Sequence, residues 1–288
     1  MRIVTHSGRF HTDDLFAVSL LKLLYPEAEI IRSRDEAIIA SADIVVDVGG
    51  VYDEKHLRFD HHQPEGAGSH ENDIPYASFG LVWITYGEKF AENQEVSRIL
   101  NEKLVMPIDA IDNGIELSSY IYDGIREYSL YDYIHSFAYN AETPEDFTRV
   151  FFEVLPLAQS VLKNELVIAQ KEAKDSEKTR KIYEQSENKR IIVIPSKLSW
   201  EHALIPSEAQ FVIYQRTEGN WGAKVVRKKL NSFEAKKPFP ESWAGKTGEE
   251  FIKLTGVDDA KLCHRARYLA VAQSKEGAIK LAEKALNA

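Results

Sequence analysis

The sequence predicts an α/β protein: a doubly wound, mostly parallel sheet, followed by a second, smaller α+β domain. Three observations predict it. Short apolar runs alternate with helix-period stretches through the first third of the chain. One of those runs, IVVDV at 44–48, is apolar without alternation, the pattern of a strand buried on both faces. Charge also divides the chain. Residues 1–187 carry 18 Lys and Arg against 34 Asp and Glu, whereas residues 188–288 carry 18 against 11.

The elements follow in order. Residues 2–5 read as a short buried strand and 15–24 as a helix ended by Pro26. Residues 29–32 form a second strand, 44–48 a central one, and 57–62 a shorter one ending in polar residues. Helices are expected over 76–90 and 93–105, with Pro107 breaking the latter. Residues 144–187 read as largely helical, the charged stretch 171–178 being a solvated helix or linker. The domain boundary is placed at 187, giving domains 1–187 and 188–288. Beyond it come strands over 190–194, 211–216, 223–227 and 268–272, and a final helix over 275–286.

With 288 residues, 44% of them hydrophobic, the chain can bury a core, which excludes general disorder. The single cysteine, Cys263, excludes a disulfide framework and a Cys-based zinc finger, and reads as a small buried hydrophobe. That points to the reducing cytoplasm. No run approaches the roughly 18–20 apolar residues of a membrane span, and the N-terminus runs straight into strand-like sequence, so neither a membrane partner nor a signal peptide is expected. A homo-oligomer stays open.

Six of the nine histidines fall within the first 70 residues. Four clusters are expected at strand ends or in the loops after them: HSGRFHTDD from His6, DVGG from Asp47, DHH at 60–62 and DAIDNG from Asp109. In a parallel sheet the carboxyl ends of strands line one crevice, so these clusters can converge. Imidazole and carboxylate suit a borderline or hard divalent ion. Two such ions about 3.5–4 Å apart would neutralise the acids, activate water and stabilise charge on a phosphoryl oxygen. Side-chain alternation predicts that His61 and His62 point to opposite sides, so that one binds metal and the other supports it or reaches substrate. It also leaves Asp14 free to favour the start of the following helix, with Asp13 an alternative N-cap. His56 and His70 read as solvent-exposed or loop residues, and His135 and His202 receive no role. Arg9 is placed either to reach a substrate phosphate or to form a surface salt bridge. The small residues in the 76–83 helix read as close packing against the sheet.

The triplet Asp60-His61-His62, preceded by Asp47 and by His6 and His11-x-Asp13, resembles the DHH phosphoesterase superfamily. The longer phrases THSGRFHTDDLFAVSLL, DIVVDVGGVYD, RFDHHQ, DAIDNGI, PFPESWAG and SKEGAIKLAEKAL resemble the melanocyte-proliferating-gene-1 family of metal-dependent hydrolases across nearly the whole chain. That resemblance implies a DHH-like fold and a 3′-to-5′ RNA exonuclease. It implies two divalent ions, Mn²⁺ first, with Mg²⁺ or Co²⁺ as alternatives. One ion would be held by His6, His11 and Asp47. The other would be held by Asp13, a bridging Asp47, His61 and an acid of the fourth cluster, Asp112 with Asp109 in reserve. Asp60 would orient an imidazole and His62 would contact the scissile phosphate. Many superfamily relatives carry Asp where this chain has His11, a change that bears on metal preference. Some family members carry Gly-Gly-His-His where this chain has Ala270-Val271-Ala272-Gln273, so substrate contacts there pass to His264, Arg265 and Arg267. With Arg227, Lys228 and Lys229 they are the candidates for binding a phosphate backbone.

The expected function is therefore a metal-dependent phosphodiester hydrolase with an RNA or oligonucleotide substrate. Two other readings stay open: hydrolysis of a small phosphate ester, cyclic dinucleotide or pyrophosphate, and a non-catalytic metal-binding interaction protein. There is no G-x-S-x-G elbow and no nucleophilic-cysteine pattern.

Overall fold

The computed structural model describes every residue of the chain except Tyr120, Ser196, Lys197 and Asn231. The chain forms two compact units, Met1–Gln170 and Lys171–Ala288. No helix among the described residues is long and apolar enough to cross a membrane.

The first unit begins with strand β1 (Arg2–Thr5), helix α1 (Thr12–Leu24), β2 (Glu29–Arg32), the short α2 (Glu36–Ala40), β3 (Ile44–Val46), β4 (Tyr52–Asp53) and β5 (Arg58–Phe59). The strands lie in the order β2-β1-β3-β5-β4. The first four are mutually parallel, and β4 runs antiparallel to β5. Ile3, Val4, Ile44, Val45 and Val46 are wholly buried, as the unbroken apolar run at 44–46 requires. Val4 and Val45 pack with Ile38 and Ile39 of α2. Helix α1 packs on β1 and β3 and against α3 (Ser78–Ala91). The chain thus crosses from β1 to β2 on one side and then to β3 on the other, which opens a crevice at the carboxyl ends of the parallel neighbours β1 and β3.

Two expectations fail here. Pro107 does not break the helical path. α4 (Gln94–Leu100) runs through a π-helical turn over Asn101–Val105 into α5 (Met106–Asp112). Pro107 falls in the first turn of α5, where a missing N–H costs little. The fourth cluster consequently lies on a helix, not at a strand end. Helix α1 also starts earlier than apolar periodicity suggests. Its N-cap is His11, not Asp13, and the His11 backbone N–H donates to Asp14 Oδ1 at 2.8 Å, so Asp14 favours the helix start as expected. Helix α6 (Leu130–Ser136) follows.

Helix α7 (Pro144–Gln185) carries the chain across the boundary of the two units, and the boundary expected at 187 lies just past its end. The charged stretch 171–178 is helix, with Asp175 and Ser176 buried. The second unit adds β6 (Ile191–Val193), α8 (Glu201–Leu204), β7 (Phe211–Gln215), β8 (Trp221–Val225), α9 (Gly248–Thr255), β9 (Ala260–Cys263), β10 (Leu269–Ala272) and α10 (Lys275–Leu286). Its sheet runs β6-β7-β8-β10-β9, parallel only between β6 and β7. Phe211, Phe239, Trp243, Phe251, Leu281 and Cys263 share one core, and Trp200, Leu204 and Val212 another. This is the expected α+β unit, with α8, α9 and β9 added.

Candidate metal centre

Each functional side chain is carried by a strand end or a helix that the fold brings to the crevice. His6 follows β1, Asp47 follows β3, and Asp60, His61 and His62 follow β5. Asp13 and Asp14 occupy the first turn of α1, and Asp112 ends α5. Asp47 adopts φ +55 and is followed by Gly49 at +96 and Gly50 at +67. Asp enters the left-handed region more readily than most residues, and at this turn its carboxylate faces His6, His61 and His62.

Asp47 is the hub. Its Oδ2 lies 3.3 Å from His6 Nε2, and its Oδ1 lies 3.4 Å from His61 Nε2 and 3.5 Å from His62 Nδ1. Ser78 Oγ, at the start of α3, donates to the same Oδ1 at 2.9 Å. His6 Nε2 also sits 3.2 Å from Asp14 Oδ2. His61 Nε2 sits 3.3 Å from Asp112 Oδ2, and His11 Nδ1 sits 3.6 Å from Asp112 Oδ1. Potential ligand atoms come within 4.8 Å of one another in three overlapping groups: His6, His11 and Asp47; Asp47, His61 and His62; His11, Asp13 and Asp112. The predicted separation of His61 and His62 does not occur. The strand ends at Phe59, so alternation no longer applies, and both rings reach one carboxylate oxygen with centroids 4.4 Å apart.

The donor set fits a divalent cation on two counts. His6 Nε2, Asp13 Oδ1, Asp14 Oδ2 and His61 Nε2 are buried without any hydrogen-bond partner. Buried polar atoms are almost always satisfied, so four orphans aimed into one place indicate a ligand. The second count is charge. Burial, then the charges of Asp47, Asp112 and Asp14, holds the Asp13 carboxyl well above the usual range. Burial likewise raises Asp112, with Asp47 adding to it against the pull of Asp13, His61 and His11. Burial also opposes ionisation of Asp47, yet the adjacent His6 and His61 imidazoles pull it below the usual range. Burial opposes a charged His6, but Asp14 and Asp47 outweigh it and lift the imidazolium to about 10. Asp47 lifts His61 in the same way, against burial. These carboxylates demand positive charge, which protons or metal ions can supply.

Asp60 is buried and accepts from Gly50 N at 2.6 Å, His62 N at 3.0 Å and His62 Nδ1 at 2.7 Å. It fixes the His62 ring and leaves Nε2 as the free nitrogen. The His62 side chain is 58% exposed, against 10% for His61. His62 lines a cavity of about 450 Å³ together with His6, Arg9, His11, Arg34 and Asp47.

Asp109 lies elsewhere. It is wholly buried, accepts from His70 Nε2 at 2.8 Å and Gly80 N at 3.0 Å, and belongs to none of the three groups. Burial lifts it to about 6 against the opposing pull of His70 and Gly80. His70 sits in a loop, as one of its two readings had it, and is buried; His56 is exposed. The small residue Gly80 has a concrete purpose: a Cβ there would meet Asp109 Oδ2 at 1.9 Å.

The remaining predicted residues belong to the second unit. Arg227 lies over the Phe233 ring at 5.1 Å, Lys228 pairs with Glu234, and Lys229 is exposed. His264, Arg265 and Arg267 form the turn between β9 and β10. His264 Nδ1 accepts from Ala266 N at 3.1 Å, Arg265 is exposed, and Arg267 donates to Phe239 O at 3.4 Å. Trp243 is buried in the core and the half-buried Trp221 packs against it.

The family model MYG1_exonuc, described as Uncharacterised protein family (UPF0160), matches residues 2–286. The chain belongs to this family. Its similarity to "MYG1 exonuclease" of Homo sapiens is 30% identity over 99% of this chain and 85% of that protein. The "MYG1 protein" of Chlamydia trachomatis serovar D is 32% identical over 98% of this chain and 94% of its own. Among solved structures, RecJ in complex with Mn²⁺ from Thermus thermophilus aligns with 100% of this chain at 12% identity. The chain spans about half (52%) of RecJ, and the TM-score is 0.30, too slight a likeness to bear on fold or function.

Sequence reasoning missed Ser78, His70 and Arg34. Arg34 donates to Ser7 O at 3.3 Å and stands 3.2 Å from His6 Nδ1. Its signal was present: a basic residue just after a strand that neighbours β1.

Proposed function

We propose that this chain is a divalent-metal-dependent phosphodiester hydrolase that removes nucleotides from the 3′ end of RNA or short oligonucleotides. It is an enzyme of the hydrolase class, as the exonuclease name of its animal relatives implies. The observation that carries the reading is the convergence of His6, His61 and His62 on Asp47, with four buried polar atoms around it unpartnered.

His6, His11 and Asp47 would hold one ion, and Asp13, Asp47, His61 and Asp112 the other. Bound there, the cations would supply an activated water and neutralise charge developing at phosphorus. Mn²⁺ is the favoured ion, as the family resemblance implies. His62, held by Asp60, presents Nε2 to the scissile phosphate. Ser78 keeps the Asp47 carboxylate oriented. The nucleic-acid backbone would engage the basic residues Arg227, Lys228, Lys229, His264, Arg265 and Arg267.

The test is metal analysis of the purified protein, followed by a Mn²⁺-dependent assay on RNA labelled at either end. The reading predicts release of labelled mononucleotide from the 3′-labelled strand, abolished by chelation and restored by Mn²⁺. Metal-independent turnover, or none on RNA, DNA and dinucleotides, contradicts it.

A further inference from the structure

Two arginines stand close in sequence at the end of β2 and differ in their surroundings. Arg32 is half-buried. It lies over the Phe151 ring at 4.6 Å, donates to Gly8 O at 2.9 Å and reaches Thr148 Oγ1. Its charge is spent on holding the loop that carries His6. Arg34 lines the same cavity as His6, Asp47, Asp60 and His62. It hydrogen-bonds Ser7 O and meets His6 Nδ1, and among the described residues it has no carboxylate in an ion pair. Arg9 lines the cavity too and, among the described residues, has no carboxylate in an ion pair.

Unpaired guanidinium groups beside a cluster of carboxylates need explaining, because the nearest anions would ordinarily capture them. Nε and Nη2 of Arg34 face Ser7 O and His6 Nδ1, which leaves Nη1 without a protein partner among the described residues. A guanidinium presents a fixed fork of N–H donors matched to two oxygens of a phosphate. Gly50, on the cavity lining, meets nothing within 4 Å where a Cβ would be, so that wall is left open.

We propose that Arg34, with Arg9 on the same cavity lining, is the phosphate-binding wall of this cleft: it donates to non-bridging oxygens of the phosphoryl group presented to the carboxylate–imidazole cluster. The proposal rests on the phosphodiesterase reading for its substrate class but makes a separate claim about one residue. Arg34 would govern ground-state and transition-state binding of the phosphoryl group. The acids and imidazoles would govern metal binding.

The experiment compares the wild-type chain with Arg34→Gln and Arg34→Lys. It measures calorimetric binding of inorganic phosphate and of adenosine 5′-monophosphate with Mn²⁺ present, Mn²⁺ binding alone, and the melting temperature. Arg34→Gln is expected to weaken both anions by roughly tenfold to a hundredfold, the worth of lost charge-assisted hydrogen bonds. Mn²⁺ affinity and melting temperature should stay within error. Arg34→Lys should recover part of the loss, since it restores charge but not the fork. Unchanged phosphate binding in Arg34→Gln overturns the proposal, as does a wild type that binds neither anion. A parallel loss of Mn²⁺ affinity also overturns it, because Arg34 would then act through His6. The two readings fail separately. Arg34-dependent anion binding without turnover removes the hydrolase and keeps the wall; turnover with an unchanged KM in Arg34→Gln does the reverse.

Discussion

Two buried imidazole–carboxylate assemblies of the first unit, those at Asp47 and Asp109, share their chemistry, and their bonding differs. In the His70–Asp109 pair both carboxylate oxygens are matched, one by an imidazole at 2.8 Å and one by a backbone N–H at 3.0 Å. Around Asp47 the imidazole–carboxylate distances to His6, His61 and His62 run from 3.3 to 3.5 Å, and four buried atoms nearby lack partners. The first is a closed structural joint and the second is an open ligand set. The two are mechanically linked, because Asp109 and Asp112 lie one turn apart on α5. Anchoring Asp109 fixes the register of the helix that presents Asp112.

Removing the hub does most to erase this contrast. Asp47→Asn is expected to abolish metal-dependent turnover, exceeding the roughly 10–100-fold that loss of an outer partner costs. It should also erase the rise in melting temperature on adding Mn²⁺, which for the wild type at a hundred times Kd is worth about 2.7 kcal/mol. A variant that still gains stability from Mn²⁺ would place the ion elsewhere. His70→Ala tests the other assembly. Leaving one buried oxygen of Asp109 without its imidazole donor should cost about 1–3 kcal/mol in denaturant unfolding. It should weaken Mn²⁺ binding only through the displaced helix. Full stability in that variant would remove the joint. Gly80→Ala forces a methyl onto Asp109 and should cost about 1–3 kcal/mol, also without touching a ligand.

A subtler effect separates the two assemblies through pH. His6, lifted to about 10, and Asp13, raised well above the carboxylate range, bind protons in the metal-free protein that a cation must displace. Proton release on binding means that apparent Mn²⁺ affinity strengthens as pH rises from about 6 to about 8. Titrations in buffers of different ionisation enthalpy check this. Proton-independent binding would show that the ligands are already deprotonated.

The sequence carried the parallel sheet and most of the cluster for one reason: apolar runs end where polar residues begin, and strand ends are where a parallel sheet gathers ligands. Other features were hidden by the same physics. Thr12, Asp13 and Asp14 are buried polar residues, so hydropathy reads the first turn of α1 as loop. Pro107 looks like a stop because nothing local announces the π-helical turn that precedes it. His70 finds its partner 39 residues away, beyond any periodic signal. The shared reach of His61 and His62 depends on where β5 ends, and element boundaries are the least legible feature of a sequence.

Anomalous diffraction from crystals grown with Mn²⁺ would decide whether the Asp47 cluster is a ligand set. Two peaks are expected, one among His6, His11 and Asp47 and one among Asp13, Asp47, His61 and Asp112, with no density at His70 and Asp109. Peaks absent from the Asp47 cluster, or present at the His70–Asp109 pair, would contradict that assignment.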